Sequence, residues 1–261
     1  MERLSKASAI IFNTFDELEN PVLNAIKSIL RTPIYTIGPS RLLANQIVSS
    51  SSVKSMGSNL WIEQPGCLEW LEGRDAQSVV YVNFGSITVL TNEQLVEFAW
   101  GLANSSYEFI WIIRPDLVRG NNAVLPPELL EKINDRSLLA SWCPQEAVLR
   151  HKAIGAFLTH CGWNSVLESI YNGVPMLCWP FFADHPTICW CTCTKWEVGM
   201  EIDSVVKREE IERLIRKIMK GEEGKKMKEK AMEWKGSAIR ATNPGGSSFV
   251  NFQRLLEEVL V

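Results

Sequence analysis

From residue 78 onward the chain alternates short apolar runs with amphipathic stretches, and this regularity limits the fold more than any other feature of the sequence. The runs SVVYVNFG (78–85), YEFIWIIR (107–114), SLLASW (137–142), AIGAFLTH (153–160), PMLCWP (175–180) and VGMEI (198–202) are short and bounded by turn formers. They have the length and composition of strands buried on both faces. Between the first two lies TNEQLVEFAWGLANS (91–105), an amphipathic segment whose Thr91 stands where a helix needs its N-cap. Further helices are expected at 145–151, 164–172, 186–196 and 207–220. Such repetition predicts an α/β fold, a Rossmann-like doubly wound parallel sheet covered by helices on both faces. Sheets of this kind bind their ligands beyond the carboxyl ends of the strands.

The polar residues of interest fall at those ends. After AIGAFLTH, His160 and a turn at Gly162 lead Trp163, Asn164 and Ser165 into the start of a helix. Backbone N–H groups and the positive end of the helix dipole favour a phosphate there, and the Asn and Ser side chains can cap the helix or donate to the ligand. By themselves these residues also suit an ordinary turn with a structural histidine. Trp142 offers a flat indole able to stack on a planar ring. Gln145 in the turn after it, and Glu168 one helical turn beyond Asn164, are placed to meet ligand hydroxyls. Asp184 and His185 close the end of the next strand. Asn83-Phe84-Gly85-Ser86 follows the first strand, where a glycine lets the backbone approach a phosphate closely.

Composition narrows the classes of function. With 261 residues, 46% of them hydrophobic, the chain can bury one large core or two modest ones. A net charge of −3 lacks the concentrated basic face that nucleic acid requires. The lysine-rich stretch from Lys225 to Lys235 reads as a solvated helix face, and Gly221-Glu-Glu-Gly224-Lys-Lys lacks the spacing of a phosphate-binding P-loop. Seven cysteines, an odd number without paired Cys-x-x-Cys elements, point to free thiols and away from a metal site, even with Cys189-x-Cys191-x-Cys193 near His185. With no secretory leader and no apolar run near the roughly 20 residues that span a bilayer, a soluble cytoplasmic protein is expected.

The beginning of the chain is different in kind. SAIIFNTF (8–15) and PIYTIGP (33–39) read as strands flanking the helix ELENPVLNAIKSIL, with Pro21 marking that helix's start. Two strands and a helix bury too little apolar surface to stand alone. Residues 40–77, with the run SSSSVKSMGSN, suit a linker or surface loop.

Trp142, Pro144, Gln145, His151, Gly155, the run His160-Cys161-Gly162-Trp163-Asn164-Ser165, Glu168, Gly173, Pro175, Pro180 and Asp184 together resemble the signature box of the plant UDP-dependent glycosyltransferases, glycosyltransferase family 1. VVYVNFGS, FIWIIRPD and GMEID extend the resemblance, which is closest to the branch that includes cyanohydrin and 7-deoxyloganetin glucosyltransferases. It implies the GT-B architecture, an acceptor domain followed by a donor domain. On that basis residues 1–39 are the remnant of the acceptor domain, 40–77 a linker, and 78–244 the donor domain. Residues 245–261 are a terminal helix packing back on the acceptor domain through Phe249, Phe252, Leu255, Leu256 and Val259.

The resemblance also implies a reaction, transfer of a hexose, with glucose favoured, from a UDP-sugar to a small-molecule hydroxyl with inversion and without a separate cofactor. His160, Asn164, Ser165 and Ser86 would hold the diphosphate, Trp142 would stack on uracil, and the Cys143 backbone would pair with the uracil edge. Gln145 and Glu168 would bind ribose, while Trp163, Asp184 and His185 would address the sugar. Family members commonly carry Gln where this chain has His185, and Gln-Thr-Asn where it has Pro186-Thr187-Ile188, which leaves glucose and galactose both open. The acceptor hydroxyl needs a general base. All three histidines, His151, His160 and His185, fall in the donor box, so the base is expected in the missing amino-terminal domain and no catalytic residue is assigned. Expected partners are UDP-glucose or another UDP-hexose, an acceptor alcohol and, as a further candidate, a separate acceptor domain. The alternatives are a truncated, non-catalytic protein that binds UDP or a partner, and a nucleotide-sugar epimerase on the same architecture.

Overall fold

The apolar runs become one six-stranded sheet in which every neighbouring pair is parallel. The computed structural model describes residues 7–47, 61–120 and 124–260. They fall into two units, residues 59–232 and residues 1–58 with 233–261.

The larger unit holds β3 (Val79–Asn83), β4 (Glu108–Ile112), β5 (Ser137–Ala140), β6 (Ile154–Thr159), β7 (Met176–Cys178) and β8 (Gly199–Glu201). Their order in space is β5-β4-β3-β6-β7-β8. The chain starts at the centre, steps outward to β5, then returns to the other side of β3 and steps outward again to β8. Strand order therefore reverses between β3 and β6, and the carboxyl ends at such a switch point open a crevice. Every residue of β3 and β6 is buried, which is why these strands read as near-continuous apolar runs. Phe84 carries the core up to that edge, packing its ring against Phe98, Trp111, Trp179 and Phe181.

The helix Asn92–Ser105 begins with a reciprocal cap, Thr91 accepting from the Gln94 amide and Gln94 accepting from the Thr91 amide. The stretch expected as one helix at 186–196 is a helix His185–Trp190 continued by a wider turn, Cys191–Lys195, closed by the Trp196 amide on the Cys191 carbonyl at 2.9 Å. Pro127–Ile133 and Cys67–Glu72 are helices that the sequence pattern does not announce. Each is two turns or fewer, too short to display a hydrophobic period.

The smaller unit pairs β1 (Ile10–Phe12) with β2 (Ile34–Thr36) in a two-stranded parallel sheet. The helix between them spans Asp16–Ile29, so Pro21 lies inside it and not at its start. A kink at Glu19, with φ −128° and ψ 20°, places the proline in the first turn of a second segment, where its missing N–H costs nothing. The helix Ser247–Leu255 packs on β2: Ser248 donates to the Gly38 carbonyl at 2.6 Å, and Asn251 donates to the Thr36 carbonyl and hydroxyl. Of the terminal apolar stripe only Leu255 is fully buried, and Leu256 is exposed, because the helix gives way at Leu256 to a wider turn. Residues 40–77 are not a plain linker. Ser40–Ile47 and Cys67–Glu72 are helical, while the run SSSSVKSMGSN lies outside the described residues.

Candidate functional site

Three turns at strand ends share an unusual backbone. Gly85 after β3, Cys161 after β6 and Ala183 after β7 all adopt positive φ, at 74°, 67° and 54°. For Cys and Ala this conformation is strained, and non-glycine strain of that sort collects where a turn must present its neighbours in one direction. The neighbours are Ser86, His160 with Gly162, and Asp184 with His185.

The imidazole of His160 is wedged between two glycines. A Cβ on Gly85 or on Gly162 would come within 2.5 Å of its Nε2. Gly85 is thus needed for the approach of a side chain as well as for its own backbone angle, a reason that the sequence alone does not reveal. Burial is the main cause that lowers the His160 pKa to about 4, with the charge of His185 and then Arg114 acting in the same sense and a bond to the Asn83 backbone opposing them. His160 is neutral at pH 7. The His185 ring stands edge-on to it with centroids 5.1 Å apart, and burial lowers His185 too, against the pull of Asp184.

Beside His160 the helix Trp163–Asn172 starts with Gly162 at its N-cap and no side-chain cap. Asn164 and Ser165 are therefore first-turn residues and not caps. Asn164 is exposed, Ser165 buried, and Trp163 half-buried with its ring 6.1 Å from that of Trp196. An α-helix leaves its first-turn amides without intrahelical acceptors, so this end concentrates positive potential beside a neutral imidazole.

The other side of the crevice is a connected polar network. Tyr81 and Asn83, two apart on β3 and hence on one face, both donate to Oε1 of Gln145, at 3.1 and 2.8 Å. Gln145, at the start of the helix Gln145–Arg150, passes the chain on through Nε2 to Ser165 Oγ at 3.0 Å and Glu168 Oε2 at 2.7 Å. Asn83 also accepts from the Gly85 amide at 2.9 Å, which ties the network to the glycine turn. The buried Cys143 thiol lies 3.3 Å from the Tyr81 hydroxyl. Trp142 is half-buried, and its indole N–H has no partner among the described residues. Gln64 pins the loop that carries it, donating to the Trp142 carbonyl and accepting from the Ser141 amide.

Two residues without an assigned role in the sequence reading prove central. Arg114 is buried after β4 and donates to the carbonyls of Ser86 and Thr88 and to Asp116, fixing the loop after β3. Its signal is a cation ending an apolar strand, FIWIIRPD. Tyr81 is the second, and its position two residues before Asn83 on an otherwise aliphatic strand was legible. His151 goes elsewhere: its Nδ1 accepts from the Ala153 amide just before β6 begins, and its Nε2 is 3.6 Å from Glu72. It stands at the amino end of β6, while His160 follows the carboxyl end.

The chain is similar in sequence and in fold to known proteins. Two relatives are a 7-deoxyloganetin glucosyltransferase of Gardenia jasminoides, 60% identical over 99% of this chain and 54% of its own length, and an (R)-mandelonitrile beta-glucosyltransferase of Prunus dulcis, 57% identical over 100% of this chain and 54% of its own length. The chain spans about half the length of the curated relatives it matches. Among solved structures, Os79 from O. sativa in complex with UDP superimposes with a TM-score of 0.87 at 32% identity, over 98% of this chain and 57% of that one. Phytolacca americana UGT2 complexed with UDP-2fluoro-glucose and pterostilbene gives 0.84 at 35% identity, over 98% and 56%. No helix of the described residues is long and apolar enough to cross a membrane. The sequence model of the UDP-glucoronosyl and UDP-glucosyl transferases matches residues 57–240, which contain the sheet, the switch point and the three turns, and the chain belongs to that family.

Proposed function

We propose that these residues grip the UDP-sugar for a small-molecule glycosyltransferase that moves a hexose, glucose first, from UDP to an acceptor hydroxyl with inversion. The observation that carries this reading is the neutral imidazole of His160, held between two glycine turns beside an uncapped helix N-terminus at the switch point of the sheet. A diphosphate there meets an imidazole N–H and first-turn amides. Those donors stabilise charge as it develops on the leaving group and need no proton transfer of their own. Ser86, on the loop clamped by Arg114, and Asn164 and Ser165 complete the set. Trp142 offers its ring to uracil and the Cys143 backbone its edge, while Gln145 and Glu168 receive the ribose hydroxyls from an already ordered network. Trp163, Asp184 and His185 face the sugar.

Deprotonation of the acceptor requires a base that we place outside these 261 residues, in an acceptor domain. His160 is too weak a base at neutral pH and is committed to phosphate in this reading. The test is calorimetric titration of the chain with UDP, with His160→Ala and Trp142→Ala alongside. Each variant should weaken binding by roughly 10- to 100-fold, the cost of one strong hydrogen bond or one stacked base. Equal affinity in all three would remove the assignment. Incubated with labelled UDP-glucose and a small alcohol, the chain alone should release little glucoside, and robust transfer would show that the base lies within it.

A further inference from the structure

Three thiols that the donor site does not use converge beside the His160 turn, and a fourth stands in the same segment of chain as the third. Cys161 occupies the left-handed position of that turn, Cys178 ends β7, Cys189 lies in the helix that His185 begins, and Cys193 follows in the wider turn. The sulfurs of Cys161, Cys178 and Cys189 lie within 4.8 Å of one another, and all three residues are buried. Cys193 is half-buried in the wider turn that follows the Cys189 helix, outside this group of three.

Lone buried cysteines pack as small hydrophobes, and such packing gives no reason for sulfurs from three separate elements to point at one spot. Tetrahedral ligation with metal–sulfur bonds of about 2.3 Å sets thiolates about 3.8 Å apart, at most about 1 Å closer than they stand here. An all-sulfur set selects soft or borderline cations over magnesium or calcium. Each metal–sulfur bond forms as a thiol releases its proton to solvent.

We propose that Cys161, Cys178 and Cys189 bind a thiophilic divalent cation of the zinc class, with Cys193 drawn in from the adjoining turn as the fourth ligand. The ion ties the turn of His160, the end of β7 and the helix of His185 to one point, so occupancy stiffens both imidazoles. The expectation of plain free thiols rested on sequence spacing, and ligands supplied by separate elements escape spacing rules.

The probe is Cd²⁺, titrated into the full chain reduced with a phosphine. One equivalent should bind with a thiolate-to-metal charge-transfer band and a rise in melting temperature. Cys189→Ala and Cys161→Ala should abolish the band while circular dichroism confirms folding. Cys193→Ser, at a more accessible position, should weaken binding by at least about tenfold. Cys67→Ala and Cys191→Ser should leave it unchanged. Absence of the band from the folded parent chain, or a titration unaltered by both Cys189→Ala and Cys193→Ser, overturns the proposal.

Discussion

The two sides of the crevice handle their polar groups in opposite ways. On the Gln145 side, Tyr81, Asn83, Ser165 and Glu168 are bonded to one another through a single amide, so the side chains are positioned before any ligand arrives. On the His160 side, two buried imidazoles meet edge to face, both with lowered pKa values, and Nδ1 of His185 has no partner among the described residues. One side is a finished hydrogen-bonded scaffold. The other holds two desolvated imidazoles beside turns with strained backbone.

Acid should separate the two sides most strongly. His160 ionises at about 4 in the fold against 6.5 unfolded, so between those values the unfolded chain binds more protons. Its stabilising contribution is complete above about pH 6.5 and is lost progressively as the pH falls toward 4, up to ~3 kcal/mol in all. Denaturant unfolding of the parent minus His160→Gln should show that difference, and a flat difference curve would break the contrast. His160→Ala comes next, through the loss of ~1.5–3 kcal/mol of UDP affinity in the calorimetric test. On the scaffold side, Gln145→Ala leaves several partners unsatisfied, and a stability loss of about 1–3 kcal/mol is expected by urea unfolding at neutral pH. Gly85→Ala adds about 1–2 kcal/mol of left-handed backbone strain to the cost of moving the buried His160 ring, and UDP affinity should fall as that ring is displaced. Retention of parental affinity would mean that the wedge around the imidazole is incidental.

Much of the larger unit was readable because buried parallel strands write themselves as apolar runs. The runs around β3, β4 and β6 needed no partner information to be recognised, and the residues expected at the crevice come to strand ends or the helix starts that follow, except Glu168, which lies in mid-helix. What failed was short or non-local. Cys67–Glu72 and Pro127–Ile133 carry too few residues for a period, and the Pro21 helix starts early because a kink at Glu19 lets the proline sit inside it. Asn164 and Ser165 looked like caps, yet Gly162 holds that position.

Local chemistry, then, settled the sequence of strands and turns, since β-rich runs, glycine turns and a helix start each depend on neighbours a few residues away. Tertiary structure alone decided which turns meet. Only the return of the chain from β5 to β6 brings Asn83 within reach of Gln145, His160 against Gly85, and Cys161 beside Cys178 and Cys189. Those contacts depend on strand order and on burial, which lowers the His160 pKa and gathers the thiols, and neither quantity is carried by any single stretch of residues.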